Sequence, residues 1–419
     1  MNLFDEELRQ RLNTLRGQGL YRELRRVDSA PGTRIQIGGR TLLNFSSNDY
    51  LGLAGDPLLR KAAIRAVEKF GAGAGASRLI CGSLAPHHEL EETLANFKGA
   101  EAALSFSSGY ATAIGTICAL LGKNDVIVID KLVHACIVDA ARLSGAKIRV
   151  FAHNDLNALE KILKWTRKGE LCESQTKSGT CPTHPSKGRR TLIVTESIFS
   201  MDGDAAPLRE IVALKEKYGA WLMVDEAHAT GLYGKNRRGL AEESGVSGQI
   251  EIQMSTLGKA VGASGGYICG SRPLIDFLVH RARSFIFSTA PVPAAAAAAT
   301  AGVRFIQSSE GERRRRTLWE RVGQCRTGIL PVYDSAKNGD RRDACPALSA
   351  ILPVIVGDEA RAVAVSAALR EQGIFVPAIR YPTVARGAAR LRITVTATHT
   401  TEDINLLVAT LNEIANRKS

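Results

Sequence analysis

The chain has 419 residues, of which 45% are apolar and 23% are charged, and its formal net charge is +13. This composition is typical of a folded globular protein and excludes a disordered or collagen-like chain. The length alone predicts two or three domains. The Ala-rich run that begins at Pro291 is too weakly hydrophobic to span a membrane, and the amino terminus lacks an apolar signal core. We therefore expect a cytoplasmic protein without a membrane partner.

The basic residues and the cysteines suggest two further functions that the rest of the sequence does not support. Basic clusters occur at 187–190, 313–316 and 341–342, but only 5% of the chain is aromatic. We expect solvated surface that can attract an anionic substrate, and no nucleic-acid partner. Cys172, Cys181 and His184 lack a fourth ligand and the usual spacing, so no metal site is predicted.

Short apolar runs alternate with amphipathic helical patterns, such as 207–218, through the middle of the chain. Alternation of this kind predicts an α/β fold in which a mostly parallel sheet is covered by helices on both faces. The candidate strands, in chain order, are 102–106, 126–130, 148–152, 192–196, 221–225, 252–255, 266–270 and 284–287.

The pattern changes after the Ala-rich helix. A long basic helix begins near residue 303 and is followed by β-like runs at 350–356 and 391–396. These elements predict a smaller α+β C-terminal domain, joined by the N-terminal segment. The predicted divisions are an N-terminal segment 1–45, a large domain 46–300 and a small domain 301–419. Two stretches, 164–190 and 327–344, are predicted to be an inserted surface loop and an irregular segment.

Two glycine-rich motifs resemble known signatures but lie in the wrong context. Residues 71–76 (GAGAGA) follow a helical pattern where a dinucleotide fingerprint needs a strand, so we expect a flexible loop. Residues 262–266 (GASGG) fit the G-x-S-x-G elbow of serine hydrolases, but a strand follows them where the elbow needs a helix. Neither motif is interpreted as a catalytic site.

Three segments end a predicted strand with polar or glycine residues: 193–204 (IVTESIFSMDGD), 222–228 (LMVDEAH) and 255–266 (STLGKAVGASGG). Ligands bind at the carboxyl edge of open α/β sheets, so these segments face one crevice. A buried Asp225 needs a cationic partner such as a protonated pyridine nitrogen, unless it only caps the next helix. His228 can then hydrogen-bond a phenolic oxygen of the same ring.

Lys259 lies in a glycine-rich turn, where a lysine is usually solvated. If it is partly desolvated there, its amine can form an imine, and with Asp225 it predicts a pyridoxal 5'-phosphate (PLP) site. Residues 107–110 (SSGY) precede a helix and can supply backbone N–H groups to a phosphate, with a hydroxyl from Thr256. His134 follows another strand and can stack on the ring, or it only caps a helix.

The order of these motifs resembles the α-oxoamine synthases, which are fold-type I PLP-dependent transferases that condense an amino acid with an acyl thioester. The resemblance extends from about residue 20 to the carboxyl terminus. It implies a large domain with a mostly parallel seven-stranded sheet, a smaller α+β C-terminal domain, and a homodimer with a shared active site. The motifs that carry it are NFSSNDYLGL at 44–53, SGY at 108–110, FSMDGD at 199–204, DEAH at 225–228 and T-x-x-K at 256–259.

The resemblance also implies a role for each matching residue. Lys259 forms the imine and moves the α-proton, Asp225 pairs with the pyridine nitrogen, and His134 stacks on the ring. His228 and Ser200 lie near the phenolic oxygen. The residues implied to hold the phosphate are Gly109, Tyr110 and Thr256, with Ser288 and Thr289 of the partner subunit, and those implied to contact substrate are Arg22, Asn48, His134, Thr383 and Arg392.

Three segments favour particular members of the family: 46–53, 153–163 (HNDLNALEKIL) and 378–384 (AIRYPTV). They are most like the members that join L-alanine to a pimeloyl thioester, with loss of CO2, in biotin biosynthesis. Whether coenzyme A or an acyl carrier protein delivers the acyl group stays open. The alternatives are a glycine C-acetyltransferase, another α-oxoamine synthase, or a non-catalytic basic binding module on the same fold.

Overall fold

The computed structural model describes residues 2–175, 189–333 and 349–416. Within these residues the strands form three sheets. The strands are β1 (Arg34–Ile37), β2 (Arg40–Asn44), β3 (Ala102–Phe106), β4 (Val126–Asp130), β5 (Lys147–Phe151), β6 (Thr191–Glu196), β7 (Trp221–Asp225), β8 (Ile252–Thr256), β9 (Gly266–Gly270), β10 (Ile351–Gly357), β11 (Ile374–Phe375), β12 (Ala378–Ile379) and β13 (Ala389–Thr394).

Helices connect most of these strands and cover the sheets. They are α1 (Leu3–Gly17), α2 (Pro57–Phe70), α3 (Ala85–Lys98), α4 (Gly109–Leu120), α5 (Ala135–Ser144), α6 (Leu156–Gln175), α7 (Leu208–Tyr218), α8 (Leu240–Glu243), α9 (Arg272–Arg281), α10 (Arg283–Ile286), α11 (Pro293–Gln307), α12 (Ser309–Tyr333), α13 (Glu359–Glu371) and α14 (Thr401–Asn416).

The largest sheet has seven strands in the order β3-β9-β8-β7-β6-β4-β5. Strand β9 runs antiparallel to both of its neighbours, and the other pairs are parallel. Every residue of β4 and β6 is buried, because helices cover both faces of the sheet. The predicted mostly parallel α/β sheet is therefore confirmed.

Two smaller three-stranded sheets complete the fold. One has the order β10-β13-β12 and, with α13 and α14, forms the smaller α+β C-terminal domain. In the other, β2 pairs with the C-terminal strand β11, with Leu43 opposite Ile374. The N-terminal segment thus packs with the C-terminal part of the chain. The predicted boundary between the large and the small domain, at residues 300/301, falls inside helix α11.

Three local predictions differ from the structure. Residues 284–287 were expected to form a strand, but 283–286 are the helix α10, which packs Phe285 edge-on against Phe106. A short apolar run does not distinguish a strand from a buried helix. The predicted loop 164–190 is helical as far as Gln175, because α6 continues, and 176–188 lie outside the described residues. Likewise α12 continues to Tyr333, and the rest of the segment 327–344 lies outside the described residues.

In the described part of the chain, no helix is both long and apolar enough to cross a membrane. The side chains of Cys172, Cys181 and His184 lie outside the described part, as do Arg341 and Arg342. Of the basic cluster at 313–316, Arg314 pairs with Asp56 at 2.8 Å and donates to the carbonyls of Leu51 and Gly52. This arginine therefore has a packing role that the prediction of solvated surface did not include.

Candidate active site

The site lies at the carboxyl edge of the large sheet, where three neighbouring strands end in polar residues. Strand β6 ends at Glu196, β7 at Asp225 and β8 at Thr256. Glu196 and Asp225 are register partners in adjacent parallel strands. Their exposed fractions are 2% and 5%, so two carboxyl groups are buried side by side. A buried pair of this kind needs positive charge or protonation nearby.

Lys259 supplies that positive charge from the turn between β8 and β9. The turn is closed by hydrogen bonds from the Leu257 N–H to the Gly265 carbonyl and from the Gly262 N–H to the Lys259 carbonyl, both 2.9 Å long. Gly262 has a φ of +73°, and a Cβ there would lie 2.5 Å from Leu53 Cβ. Only glycine therefore suits this position, because the conformation is left-handed and the neighbouring backbone is in contact.

The amine of Lys259 contacts the ring of His228, with 2.6 Å between Nζ and Nε2. Burial lowers the pKa of Lys259 to about 8, although the charges of Asp225 and Glu196 act in the opposite direction. Burial, together with the charges of Lys259 and Arg392, lowers the pKa of His228 well below its ordinary value. The pair therefore consists of a neutral imidazole and an amine that loses its proton at mildly alkaline pH.

Burial raises the pKa of Asp225 even though the charge of Lys259 opposes this, and its Oδ1 accepts the N–H of Ala227 at 2.9 Å. Burial and the neighbouring charge of Asp225 raise the pKa of Glu196 to about 8. Among the described residues, Glu196 Oε1 has no hydrogen-bond partner. Sequence reasoning missed Glu196. The available signal was its place at the end of a buried strand, beside the strand that ends at Asp225.

The segment 46–53 reaches the same site from the amino-terminal side. The Tyr50 hydroxyl lies 2.5 Å from His228 Nδ1 and 3.4 Å from Asn48 Oδ1. Asp49 holds the segment by accepting the N–H groups of Leu53 at 2.7 Å and Ala54 at 3.0 Å. Asn48, predicted from the sequence, is therefore close to His228 through Tyr50, which was not predicted.

Ser200 and Arg392 meet where the C-terminal domain contacts the large sheet. Arg392 Nε donates to the Ser200 carbonyl at 2.6 Å, and Arg392 Nη1 donates to Thr394 Oγ1 at 2.9 Å. Arg392 is buried, with 8% of its surface exposed. Its charge acts to lower the pKa of both Tyr50 and His228. The two predicted residues thus lie together beside the Lys259 and His228 pair.

The loop that carries Ser200 is braced by His153, a residue of the segment 153–163. Its Nδ1 lies 3.0 Å from Asp130 Oδ1, and its Nε2 lies 2.6 Å from Asp204 Oδ2. Burial would lower the pKa of His153, but the hydrogen bonds to both aspartates outweigh it and raise the pKa to about 9. At neutral pH His153 is therefore a cation held between two carboxylates.

The predicted phosphate cradle lies at the start of α4. Ser108 caps this helix by accepting the Ala111 N–H at 3.1 Å, and Gly109 is its first residue. A Cβ on Gly109 would lie 3.8 Å from Thr256 Cβ, so the two predicted residues are neighbours. Helix N-termini carry partial positive charge and free N–H groups, which suit a phosphate.

Two further ring-bearing residues were predicted to contact the cofactor, Tyr110 and His134. Tyr110 is 50% exposed and donates to Asp139 Oδ2 at 3.1 Å. His134 is the exposed N-cap of α5, and its Nδ1 accepts the Cys136 N–H at 3.2 Å. The charge of His134 acts to lower the pKa of Asp225, which shows that the two side chains are near each other. The capping role is thus present, and the exposed ring remains accessible for stacking.

Four predicted residues lie on exposed or peripheral segments. Arg22 is exposed in the segment after α1, and Thr383 is exposed in the loop after β12. Thr289 forms an isolated antiparallel bridge with Ser77, and Ser288 Oγ donates to the Thr289 carbonyl at 3.0 Å. Among the hydrogen bonds of the described residues in a single chain, none joins these four residues to Lys259.

The donor set fits PLP. Lys259 offers a desolvated amine, Asp225 a buried carboxylate for a cationic ring nitrogen, and the start of α4 a phosphate cradle. A Cβ on Gly266 would lie 2.5 Å from Thr112 Oγ1 and 2.8 Å from Gly109 Cα, so the sheet edge closely supports this cradle. The fold and the site together define a fold-type I PLP-dependent enzyme.

Comparison with known proteins agrees with this class. The model of the family "aminotransferase class I and II" matches residues 40–411. An 8-amino-7-oxononanoate synthase of Geotalea daltonii is 43% identical over 417 residues, which cover 100% of this chain and 98% of that protein. The 8-amino-7-oxononanoate synthase of Geobacter sulfurreducens is 45% identical over 403 residues, covering 96% of both proteins.

Solved structures show the same likeness. A serine palmitoyltransferase from S. paucimobilis, solved with a bound PLP adduct, has a TM-score of 0.86 at 29% identity and covers 100% of this chain and 99% of that one. An 8-amino-7-oxononanoate synthase from Francisella tularensis has a TM-score of 0.71 at 25% identity, covering 90% of this chain and 98% of that one. The chain belongs to the aminotransferase class I and II family and, within it, to the PLP-dependent α-oxoamine synthases.

Proposed function

We propose that the chain catalyses the decarboxylating condensation of L-alanine with a pimeloyl thioester. The products are 8-amino-7-oxononanoate, CO2 and the free thiol, as in biotin biosynthesis. One observation carries the proposal: Lys259, His228, Asp225 and Arg392 converge at one sheet edge. It is supported by relatives named for this product that match over nearly the whole chain.

Bound PLP supplies an electron sink for the negative charge that develops when the α-proton of alanine is removed. The chain's own residues do the remaining work. Lys259, whose pKa is about 8, can hold or accept a proton near neutral pH, as a general base requires. Asp225 stabilises a protonated ring nitrogen, and His228 donates a hydrogen bond to the phenolic oxygen, with Ser200 beside it.

The remaining roles concern binding. Arg392 grips the carboxylate of alanine with guanidinium N–H groups, a bidentate contact that a lysine would not reproduce. His134 stacks on the cofactor ring, and Gly109, Tyr110 and Thr256 hold the phosphate. The proposed substrate contacts are Asn48, which is half-buried near His228, and Arg22 and Thr383, which lie on exposed segments.

We also propose a cytoplasmic homodimer in which Ser288 and Thr289 reach the phosphate of the partner subunit's site. This is supported by their position on an exposed segment of the chain. The division into a segment 1–45, a large domain 46–300 and a small domain 301–419 is retained as a proposal. Pairing of β2 with β11 supports the association of the first segment with the third.

The assay that tests the reaction compares substrate pairs on the PLP-loaded enzyme. L-alanine with pimeloyl-CoA, L-alanine with pimeloyl-carrier protein, and glycine with acetyl-CoA are supplied separately, and the amino-ketone and CO2 are measured by mass spectrometry. We expect turnover with alanine and a pimeloyl thioester, and the two carriers are ranked by kcat/KM. Faster turnover of glycine with acetyl-CoA would replace the proposal by a glycine C-acetyltransferase.

The requirement for Lys259 is tested separately by spectroscopy. The Lys259→Ala variant should lose the visible absorbance that a lysine-bound PLP gives at about 400–430 nm, together with turnover. Lys61→Ala, a change on the exposed face of α2, is the matched control and should keep both. An unchanged absorbance band with full activity in Lys259→Ala would contradict the proposed attachment site.

A further inference from the structure

Tyr50 is a buried residue whose hydroxyl contacts a ring nitrogen of the site. It is 1% exposed, and its Oη lies 2.5 Å from His228 Nδ1. On the other side of the ring, His228 Nε2 lies 2.6 Å from Lys259 Nζ. Tyr50, His228 and Lys259 therefore form a continuous hydrogen-bonded row inside the protein.

The imidazole in the middle of this row carries a single proton. Burial and the nearby charges of Lys259 and Arg392 hold the pKa of His228 well below its usual range, so the ring is neutral. A neutral imidazole has one N–H donor and one acceptor nitrogen. The partner of each nitrogen therefore decides which one carries the proton.

Lys259, the partner of His228 Nε2, changes its chemical state during the catalytic cycle. A charged ammonium has donors only, so it requires Nε2 to accept and places the ring proton on Nδ1. Once the Lys259 nitrogen is bound to the cofactor it no longer donates in this way. The phenolic oxygen of the proposed cofactor then favours a proton on Nε2.

The Tyr50 hydroxyl suits both arrangements because it can donate or accept. When Nδ1 carries the proton, the Tyr50 oxygen accepts a hydrogen bond from this N–H. Its own O–H can then point to Asn48 Oδ1, 3.4 Å away. When Nδ1 is bare, the O–H turns to Nδ1. Burial raises the pKa of Tyr50 to about 12, so the hydroxyl keeps its proton throughout.

The surrounding contacts hold the backbone that carries Tyr50 in place. The Ala397 N–H donates to the Tyr50 carbonyl at 2.8 Å, and the Tyr50 N–H donates to the Asn48 carbonyl at 2.9 Å. Arg314 binds the carbonyls of Leu51 and Gly52 at 3.1 and 3.2 Å. The backbone is thus fixed on both sides of Tyr50, and burial of the side chain limits where its hydroxyl can point.

We infer that Tyr50 is a positioning residue. Its hydroxyl keeps His228 Nε2 directed at Lys259, and it allows the ring proton to change nitrogen when Lys259 passes from charged amine to cofactor-bound nitrogen. For the loaded state, this inference rests on the function proposed above.

The test uses the full-length enzyme with 15N-labelled histidine, in cofactor-free and PLP-loaded forms, at a pH well below 8. Nitrogen NMR shows which nitrogen of each ring is protonated, and a His228→Gln sample assigns the His228 signals. The variant is Tyr50→Phe. The control is Tyr267→Phe, which removes the hydroxyl of another fully buried tyrosine, one that lies 3.4 Å from Thr230 Oγ1.

In the wild type and in Tyr267→Phe, the His228 proton should be on Nδ1 in the cofactor-free form and on Nε2 in the loaded form. In Tyr50→Phe an N–H at Nδ1 would have no acceptor. The His228 proton should therefore stay on the same nitrogen in the cofactor-free and loaded forms of this variant. The inference is overturned if Tyr50→Phe shows the same change as the wild type, or if the wild type shows none.

A kinetic measurement on the loaded enzyme separates positioning from general damage. We expect Tyr50→Phe to lower kcat about tenfold with the KM for alanine within about twofold, a loss comparable to one buried hydrogen bond. Tyr267→Phe should keep both constants. Equal losses in the two variants would indicate a merely structural role for Tyr50. The NMR outcome does not depend on which acyl donor is used, so failure of the proposed reaction would be seen separately.

Discussion

Lys259 is subject to two opposing influences on its ionisation. Burial disfavours the ammonium, while the carboxyl groups of Asp225 and Glu196 favour it, and the result is a pKa of about 8. Without the two carboxyl groups the amine would titrate lower still. The two buried carboxyl groups thus hold the pKa of Lys259 near 8, so that a useful fraction of the amine is neutral and nucleophilic close to neutral pH.

The pKa of Lys259 predicts how the cofactor-free enzyme takes up PLP. Only the neutral amine attacks an aldehyde, and below pH 8 the neutral fraction falls about tenfold for each pH unit. The second-order rate constant of PLP uptake, followed by absorbance, should therefore rise with pH and level off above about 8. A PLP analogue with a methyl group in place of the aldehyde is the control, and its affinity should lack this rise. A flat rate profile between pH 6 and pH 9 would contradict the lowered pKa.

The sequence predicted single residues well where their chemistry depends on a motif. Asp225, His228 and Lys259 meet at the predicted sheet edge. Asp225 is the last residue of β7, His228 lies three residues beyond it, and Lys259 lies three residues beyond the end of β8. Glu196 and Tyr50 were missed for different reasons. Glu196 needed the strand register that places it beside Asp225, and Tyr50 needed a contact between residues 178 positions apart in the chain.

At the scale of elements, the turn between β8 and β9 positions Lys259 by close packing. Gly262 combines a φ of +73° with a Cβ position 2.5 Å from Leu53 Cβ. The same segment 46–53 carries Tyr50 and Asn48. The close approach of Gly262 to the backbone at Leu53 thus brings the turn that carries Lys259 against the segment 46–53, whose Tyr50 contacts His228.

Replacing Gly262 by alanine should therefore damage both stability and the site. The left-handed φ costs about 1–2 kcal/mol, and the clash with Leu53 adds about 1–3 kcal/mol. Gly219→Ala is the matched control, because it has a φ of +66° with nothing within 4 Å of the added Cβ. Urea unfolding measures the two free energies. We expect the control to lose only the conformational part and to keep its affinity for PLP, whereas equal losses would exclude a role for the Leu53 contact.

Element prediction succeeded where the hydrophobic period was regular and failed where it was not. Strands β4, β6 and β7 are built on the apolar runs VIVI, LIV and WLMV, and their predicted positions agree with the structure to within one residue. Residues 164–175 were predicted to belong to a loop because the whole stretch 164–190 is polar, rich in Gly, Ser and Thr, and contains two prolines. Their helix is instead the continuation of α6, which begins at Leu156. Composition alone does not show where such a helix ends.

At the scale of the whole molecule, an exposed apolar surface adjoins the proposed phosphate-binding segment. Its members are Leu79, Ile80, Phe287 and Val292, which are 50%, 79%, 70% and 45% exposed. The bridge between Ser77 and Thr289 places the two segments side by side. Exposed apolar surface of this kind is typical of interfaces, and in the proposed dimer a two-fold partner would cover it with its own copy.

This arrangement predicts that charge in the patch dissociates the proposed dimer and weakens the site at the same time. In Ile80→Glu with Phe287→Glu, two carboxylates would be buried without partners, so sedimentation equilibrium should give the mass of one chain, 45.0 kDa, in place of twice that value. PLP affinity should fall with it, because Ser288 and Thr289 would no longer reach the other subunit. Leu406→Glu, on α14 at 49% exposure, is the control and should remain dimeric with unchanged affinity. A double variant that stays dimeric would show that the interface lies elsewhere. A monomer with full PLP affinity would instead remove the proposed contribution of Ser288 and Thr289 while leaving the interface in place.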